Sequence, residues 1–415
     1  MKKLVVQGTE RLQGKINVSG AKNAALPIIA ASLLAKGDSV LKGIPDLRDV
    51  NNLVDILNDL GAEASFANNM IQVQADSVNK YQTDDDLARK LRASYYTLGA
   101  LLGRYGEACT VLPGGCEIGN RPIDLHLKGF SALGADVELD HGLVKLKADR
   151  LTGAKIYLDY PSVGATMNIM LAAVLAEGQT VIENVAREPE IIDLANYLNV
   201  MGAKVKGAGT DIIKIEGVKE LIGTDYTIIP DRIEVGTYMM ATAAISGEVI
   251  IENVLVEHVR SLISKLKEMG IEIIEDVNRV KVKADKGLSG VDIKTMPYPG
   301  FPTDMQSQFM VLLTQASGEN VVIETVFENR FGHVDELRRM GAQIKVDGRS
   351  AVVAKASLEG TQVEATDLRA GAALIIAGLA AEGETEIYNV YHIERGYEDV
   401  TEKLRGIGAK IELKS

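Results

Sequence analysis

One of the chain's two cysteines lies in the thirteen-residue stretch Pro113-Gly114-Gly115-Cys116-Glu117-Ile118-Gly119-Asn120-Arg121-Pro122-Ile123-Asp124-Leu125. Three glycines let backbone come close to a ligand. Arg121 is conformationally restricted by the proline that follows it. A cation held five residues from a thiol lowers the thiol pKa, which points to thiolate chemistry at Cys116. Taken alone, the motif also fits a tight turn carrying an inert cysteine.

A second set of residues recurs where apolar helices begin: Lys22-Asn23, Arg92-Ala93-Ser94, Ser162-Val163-Gly164, Asp231-Arg232, Thr303-Asp304 and Asp367-Leu368-Arg369. A helix N-terminus presents unpaired N–H groups and the positive end of its dipole, so it suits anions. Ser, Thr and Asp at such points also serve as plain N-caps. Lys22, Arg92, Arg232 and Arg369 do not fit that explanation, because a cation there opposes the dipole. Four such cations point to a ligand with several negative charges, or to carboxylate partners such as Asp231 for Arg232.

Composition narrows the chemistry. A net charge of −12 disfavours nucleic acid as a partner. Five scattered histidines and two cysteines, Cys109 and Cys116, give neither a zinc spacing nor a disulfide framework, which favours a reducing cytoplasm. The P-loop and the Rossmann glycine fingerprint are both missing. The start, Met1-Lys2-Lys3-Leu4-Val5-Val6, holds no apolar run long enough for a signal peptide, and no window approaches a membrane span. At 415 residues, 46% hydrophobic and 25% charged, the chain reads as globular with two domains.

The elements that carry these residues repeat. Leu60-Gly61-Ala62, Leu133-Gly134-Ala135, Met201-Gly202-Ala203, Met269-Gly270-Ile271, Met340-Gly341-Ala342 and Ile407-Gly408-Ala409 recur at roughly 67 to 73 residues. Each glycine closes a segment of helical apolar spacing such as Leu262, Ile263, Leu266 and Met269, and an alternating stretch such as Val280-Lys281-Val282-Lys283 follows. The predicted unit is strand, all-apolar helix, strand, amphipathic helix and hairpin. The first helix is expected inside and the second outside. Six units predict an α/β fold of two domains, each with three repeats around a helical core.

Beyond the Cys116 loop, the phrases in order are Ser19-Gly20-Ala21-Lys22-Asn23-Ala24-Ala25, Ser162-Val163-Gly164-Ala165-Thr166, Tyr298-Pro299-Gly300-Phe301-Pro302-Thr303-Asp304-Met305-Gln306, Glu324-Thr325-Val326-Phe327-Glu328-Asn329-Arg330-Phe331, Ala365-Thr366-Asp367-Leu368-Arg369 and Tyr391-His392-Ile393-Glu394-Arg395-Gly396-Tyr397. In register they resemble the enolpyruvyl transferase family, and within it the UDP-N-acetylglucosamine 1-carboxyvinyltransferases. The resemblance implies two inside-out α/β domains, 19–229 and 1–18 with 230–415, and an active site in the cleft between them. It implies transfer of the enolpyruvyl group of phosphoenolpyruvate to the 3-hydroxyl of UDP-N-acetylglucosamine, by addition and elimination, in peptidoglycan synthesis, with no cofactor and no metal.

By position, the resemblance makes Cys116 the acid toward the methylene carbon and the site of a phosphoenolpyruvate adduct, hence a target of fosfomycin. Asp304 becomes the base for the sugar hydroxyl. Lys22, Arg121 and Arg395 surround phosphoenolpyruvate, with Lys22 and Arg121 at its phosphate; Arg330 and Arg369 sit nearer its carboxylate or help close the domains. Asn23, Arg92, Arg121, Pro122, Ile123, Asp124, Leu125, Ser162, Val163, Gly164, Val326 and Phe327 fall on nucleotide-sugar positions. Glu328 and Asp367 are expected to orient the arginines, and Met167-Asn168 is assigned no role. Tyr160 stands where some members carry a lysine, so one phosphate contact is altered. The shikimate-pathway relative lacks the Pro-Gly-Gly-Cys loop. A non-catalytic nucleotide-sugar-binding homologue would be expected to have lost Cys116, Asp304 or the arginines.

Overall fold

The computed structural model describes residues 2–112, 123–285 and 287–414. Cys116, Arg121 and Pro122 lie outside the described residues. The chain forms two compact units, one from residues 2–19 and 230–414, the other from 20–112 and 123–229.

In the second of these, three sheets share one plan. Asp225–Thr227 runs parallel to Asp38–Lys42, which pairs antiparallel with Met70–Gln74 and through it with Glu63–Ala67. Lys155–Tyr157, Gln179–Glu183, Ile212–Glu216 and Lys204–Lys206 repeat the order. Glu107–Val111, Leu143–Lys147 and Asp136–Asp140 repeat it again, with an isolated parallel bridge from Gln82 to Cys109 in the first slot. The helices Lys22–Ala31, Tyr96–Tyr105 and Val163–Ala173 fill the core; the last of them is buried at every residue from Ala165 onward. Away from the ends, where Lys22, Asn23, Arg104 and Tyr105 stand, these helices carry mostly apolar or small residues on every side, so no face has reason to seek water.

The other unit follows the same plan. Leu12–Asn17 pairs in parallel with Gly247–Glu252, then come Arg279–Ala284 and Glu272–Glu275. Ile293–Lys294, Glu319–Ile323, Ser350–Ala354 and Gln343–Asp347 form the next sheet. In the third, Gln362–Glu364 and Glu384–Tyr388 are followed by Lys3–Gln7 and only then by Lys410–Lys414. The N-terminal strand thus takes the slot that the second hairpin strand takes elsewhere, which fixes residues 2–19 to the C-terminal half. Ser19 adds to this: its N–H donates to Glu234 Oε2 at 2.8 Å, and Glu234 pairs with Lys403 at 2.6 Å. Helices Arg232–Ile245, Gln306–Thr314 and Leu368–Ala380 form the core.

The amphipathic helices lie on the outside, as the periodicity predicts. Arg260–Glu268, for example, buries Leu262, Ile263 and Leu266 only. Gly61, Gly134, Gly202, Gly270, Gly341 and Gly408 all stand at positive φ, between 90° and 107°. A residue with a Cβ is strained there, so glycine is what ends each outer helix and turns the chain into its hairpin.

Candidate active site

Each unit gathers its own part of the candidate residues. In the unit containing residues 230–414, Asp304 lies in the short turn Thr303–Met305, just before the buried helix Gln306–Thr314. One carboxylate oxygen accepts from Arg330 Nη2 at 3.0 Å, the other from Arg369 Nη2 at 3.2 Å. Both arginine side chains are almost fully buried, 3% and 2% exposed, whereas Asp304 is 28% exposed. An ionised carboxylate offers about four lone-pair directions, and each oxygen of Asp304 spends one on an arginine.

Arg369 is the second residue of the helix Leu368–Ala380, in the first turn where its charge opposes the dipole. Asp304 supplies the opposing charge. Nε and Nη1 of Arg369 have no acceptor in hydrogen-bonding geometry among the described residues, and the guanidinium lies over the Tyr397 ring, 5.4 Å from its centroid. Buried donors without acceptors are costly, and an anionic ligand would satisfy them. Tyr397 is itself fixed by Thr237 at 2.9 Å and by Gln308 Nε2 at 3.2 Å.

The supporting residues differ from expectation. Asp367 does not reach the Arg369 guanidinium as an orienting partner; its carboxylate caps the helix, accepting from the N–H groups of Arg369 at 2.8 Å and Ala370 at 3.1 Å. Glu328 pairs with Arg349 at 3.3 Å rather than with a candidate arginine. Glu324 does more: Oε1 accepts from the N–H groups of Val326 and Phe327 at 2.7 and 3.1 Å, and Oε2 accepts from Thr303 Oγ1 at 3.0 Å. One buried carboxylate therefore ties the Val326-Phe327 segment to the turn that carries Asp304. Arg395 is half-buried at the end of the turn Val390–Arg395. Burial lowers the His392 pKa, and the Arg395 charge lowers it further.

In the unit containing residues 20–229, Lys22 opens the helix Lys22–Ala31. Its Nζ lies 2.6 Å from Asp49 Oδ2, with both side chains buried. Asp49 belongs to the first turn of Arg48–Asp59, where an acid suits the dipole. The awkward placement of Lys22 is therefore offset from within the protein, and that placement alone does not require a ligand. Asn23 is exposed beside it. Arg232, in the other unit, has its guanidinium over the Tyr298 ring, 5.6 Å from its centroid, and Asp231 caps the N–H groups of Ile233 and Glu234.

Ser162 caps the helix Val163–Ala173, accepting from Ala165 N–H at 3.3 Å. Gly164 follows under two rings: a Cβ there would lie 2.9 Å from Tyr95 Oη and 3.1 Å from His126 Cε1. Half-buried Arg92 begins the turn Arg92–Tyr95 that brings Tyr95 to this point. Ile123 is buried; Asp124, exposed, and Leu125, half-buried, start the helix Asp124–Ala132 that supplies His126. Burial, reinforced by the Arg92 charge, pushes the His126 imidazole down to about 3, so it is neutral at physiological pH. Tyr160 is exposed at 43%. His126 and Asp49 are the residues of these clusters that sequence reading passed over, while Glu324 and Tyr397 stood inside the motif phrases and Asn168 was named, all three without a role. His126 carried a local signal, being adjacent to the Ile123-Asp124-Leu125 block.

The chain is built as a sixfold βαβαββ repeat in two units, with buried Lys22, Arg232 and Arg369 at the starts of three core helices. Residues 6–404 match the family described as EPSP synthase (3-phosphoshikimate 1-carboxyvinyltransferase), and the chain belongs to that family. Within it, the chain is 66% identical over 411 residues to UDP-N-acetylglucosamine 1-carboxyvinyltransferase of Halothermothrix orenii, covering 99% of both chains. It is 56% identical over 410 residues to UDP-N-acetylglucosamine 1-carboxyvinyltransferase 1 of Caldanaerobacter subterraneus, again covering 99% of both. Among solved structures, the enolpyruvyl transferase NikO from Streptomyces tendae superposes with a TM-score of 0.90 at 28% identity, over 100% of this chain and 99% of that one.

Proposed function

We propose that the chain transfers the enolpyruvyl group of phosphoenolpyruvate to the 3-hydroxyl of UDP-N-acetylglucosamine, releasing phosphate, in the step that commits the nucleotide sugar to peptidoglycan. The observation that carries this reading is Asp304 held between two buried arginines, in a chain whose full-length relatives bear the name of that activity.

In the addition step, Asp304 takes the proton of the 3-hydroxyl as its oxygen bonds to the central carbon of phosphoenolpyruvate. The methylene carbon gains a proton from Cys116, giving a tetrahedral ketal that still holds phosphate. In the elimination step, the new methyl group returns a proton to the Cys116 thiolate as the C–O bond to phosphate breaks, phosphate leaves with the proton held by Asp304, and the C=C bond of the enol ether forms. Arg330 and Arg369 hold the carboxylate of phosphoenolpyruvate, Lys22 and Arg121 hold its phosphate, and Arg395 completes the cationic surround. Arginine suits this task because its planar fork binds oxyanions through two donors. These cations neutralise developing charge at fixed positions.

The nucleotide sugar is bound by Asn23, Arg92, residues 121–125, Ser162 to Gly164, and Val326 with Phe327. Both substrates are soluble anions, and the reaction belongs in the cytoplasm. Among the described residues, no helix is long and apolar enough to cross a membrane. The test is mass spectrometry of the product formed from phosphoenolpyruvate and UDP-N-acetylglucosamine. Equal amounts of the enolpyruvyl ether and phosphate are expected; recovery of unchanged nucleotide sugar would overturn the reading.

A further inference from the structure

Asn168 lies wholly buried in the core helix Val163–Ala173, and all of its side-chain hydrogen-bonding groups facing protein are engaged. Its Oδ1 accepts from Gly99 N–H at 2.8 Å. That bond fixes which end of the amide is oxygen, because a backbone N–H only donates. The NH2 group then points the other way, with one hydrogen toward Tyr95 C=O at 2.8 Å and one toward His126 Nδ1 at 3.0 Å. Since Asn168 donates, Nδ1 of His126 accepts. A neutral imidazole that accepts at Nδ1 carries its hydrogen on Nε2.

Nε2 lies on the side of the ring that faces the start of the same helix. It would stand 3.2 Å from a Cβ at Gly164, immediately after the Ser162 cap, and has no hydrogen-bond partner among the described residues. The Tyr95 ring packs edge-on against the imidazole at 5.0 Å and holds its plane. Protonation of Nδ1 is opposed on geometric grounds, because the new N–H would face the N–H of Asn168.

We propose that Asn168 is a positioning residue that locks His126 as the uncharged Nε2–H tautomer, so that His126 donates one hydrogen bond to an anionic oxygen of the nucleoside diphosphate sugar at the Ser162–Gly164 turn. The inference rests on the functional reading above for the identity of the ligand, but not for the tautomer. A neutral donor adds direction to the site without adding charge beside Arg92, so the ligand is oriented without further cation–cation repulsion. The same buried amide, carried by the core helix of one repeat, binds Gly99, Tyr95 and His126 of the repeat before it.

The test uses the full-length protein with nitrogen-15-labelled histidine at neutral pH, compared with Asn168→Asp. In the wild type, the His126 nitrogens are expected to show a protonated Nε2 and an unprotonated Nδ1. A carboxylate at position 168 still accepts from Gly99 but can only accept at His126, so the Nδ1 signal moves to the protonated type. The KM for UDP-N-acetylglucosamine then rises about tenfold, the loss of one hydrogen bond to a charged group, while the KM for phosphoenolpyruvate stays near its wild-type value. A wild-type His126 protonated at Nδ1, or an Asn168→Asp enzyme with unaltered tautomer and KM, would overturn the proposal. If Asn168→Asp fails to fold, the wild-type spectrum still decides the tautomer, and the KM of His126→Gln decides the contact. If the wild type forms no product from the two substrates while the tautomer is as stated, the functional reading fails and the lock stands.

Discussion

Asp304 and Arg369 meet at 3.2 Å, joining the turn that precedes one core helix to the first turn of the next. The contact explains why a cation can sit in the first turn of a buried helix. It also leaves Asp304 28% exposed, open to a reactant on one side.

Replacing Asp304 with Asn keeps the shape and removes the proton acceptor. Steady-state kinetics should show kcat lowered by about a hundredfold to ten-thousandfold, the range for loss of a general base, with smaller changes in KM. An Asp304→Asn enzyme with unchanged kcat would remove Asp304 from the chemistry.

Lys22 and Asp49 form a buried pair at 2.6 Å. Asp49→Asn leaves a buried ammonium facing a neutral group, which costs about 3–5 kcal/mol for pairs of this kind. Denaturant unfolding should register that loss, and the KM for phosphoenolpyruvate should rise as Lys22 loses its fixed position. Unchanged stability would mean that water, not Asp49, solvates Lys22.

A methyl group at Gly164 would crowd two rings, standing 2.9 Å from Tyr95 Oη and 3.1 Å from His126 Cε1. Gly164→Ala should raise the KM for UDP-N-acetylglucosamine about tenfold by displacing those rings, while phosphoenolpyruvate binding is spared. Equal losses for both substrates would place the turn elsewhere in the reaction.

His126 contributes a pH dependence whose sign follows from its environment. Arg92, Tyr95 and Asn168 face the ring, and burial with the Arg92 charge lowers its pKa to about 3. The unfolded chain binds a proton below about 6.5 that the folded one refuses, so stability is lost as pH falls from there toward the folded value. Relative to His126→Gln, the wild type should lose about 1.4 kcal/mol per pH unit over that window. Parallel stability curves for the two proteins would contradict a buried neutral imidazole.

The two cysteines should differ toward fosfomycin. Burial raises the Cys109 thiol pKa, and Lys145 offsets this only in part. Peptide mapping after treatment should find the adduct on Cys116, with activity lost. Full activity after treatment would count against the role given to Cys116.

The repeat was legible because its signals are local. A glycine after each amphipathic helix and an unbroken apolar face on each core helix are read within a few residues, and both have direct physical causes. The cations at helix starts were legible as misfits. Their partners were not, because Lys22 with Asp49, Asp304 with Arg369 and His126 with Asn168 are brought together by tertiary packing that no short spacing encodes. Glu328 and Asp367 show the converse: the resemblance implied that they orient the arginines, while the fold sends one to Arg349 and uses the other as a cap.

The most direct test of the account is phosphate release from phosphoenolpyruvate, measured separately with UDP-N-acetylglucosamine and with shikimate 3-phosphate. The account predicts steady release with the nucleotide sugar and none above background with shikimate 3-phosphate. Release with shikimate 3-phosphate, or with neither acceptor, would contradict it.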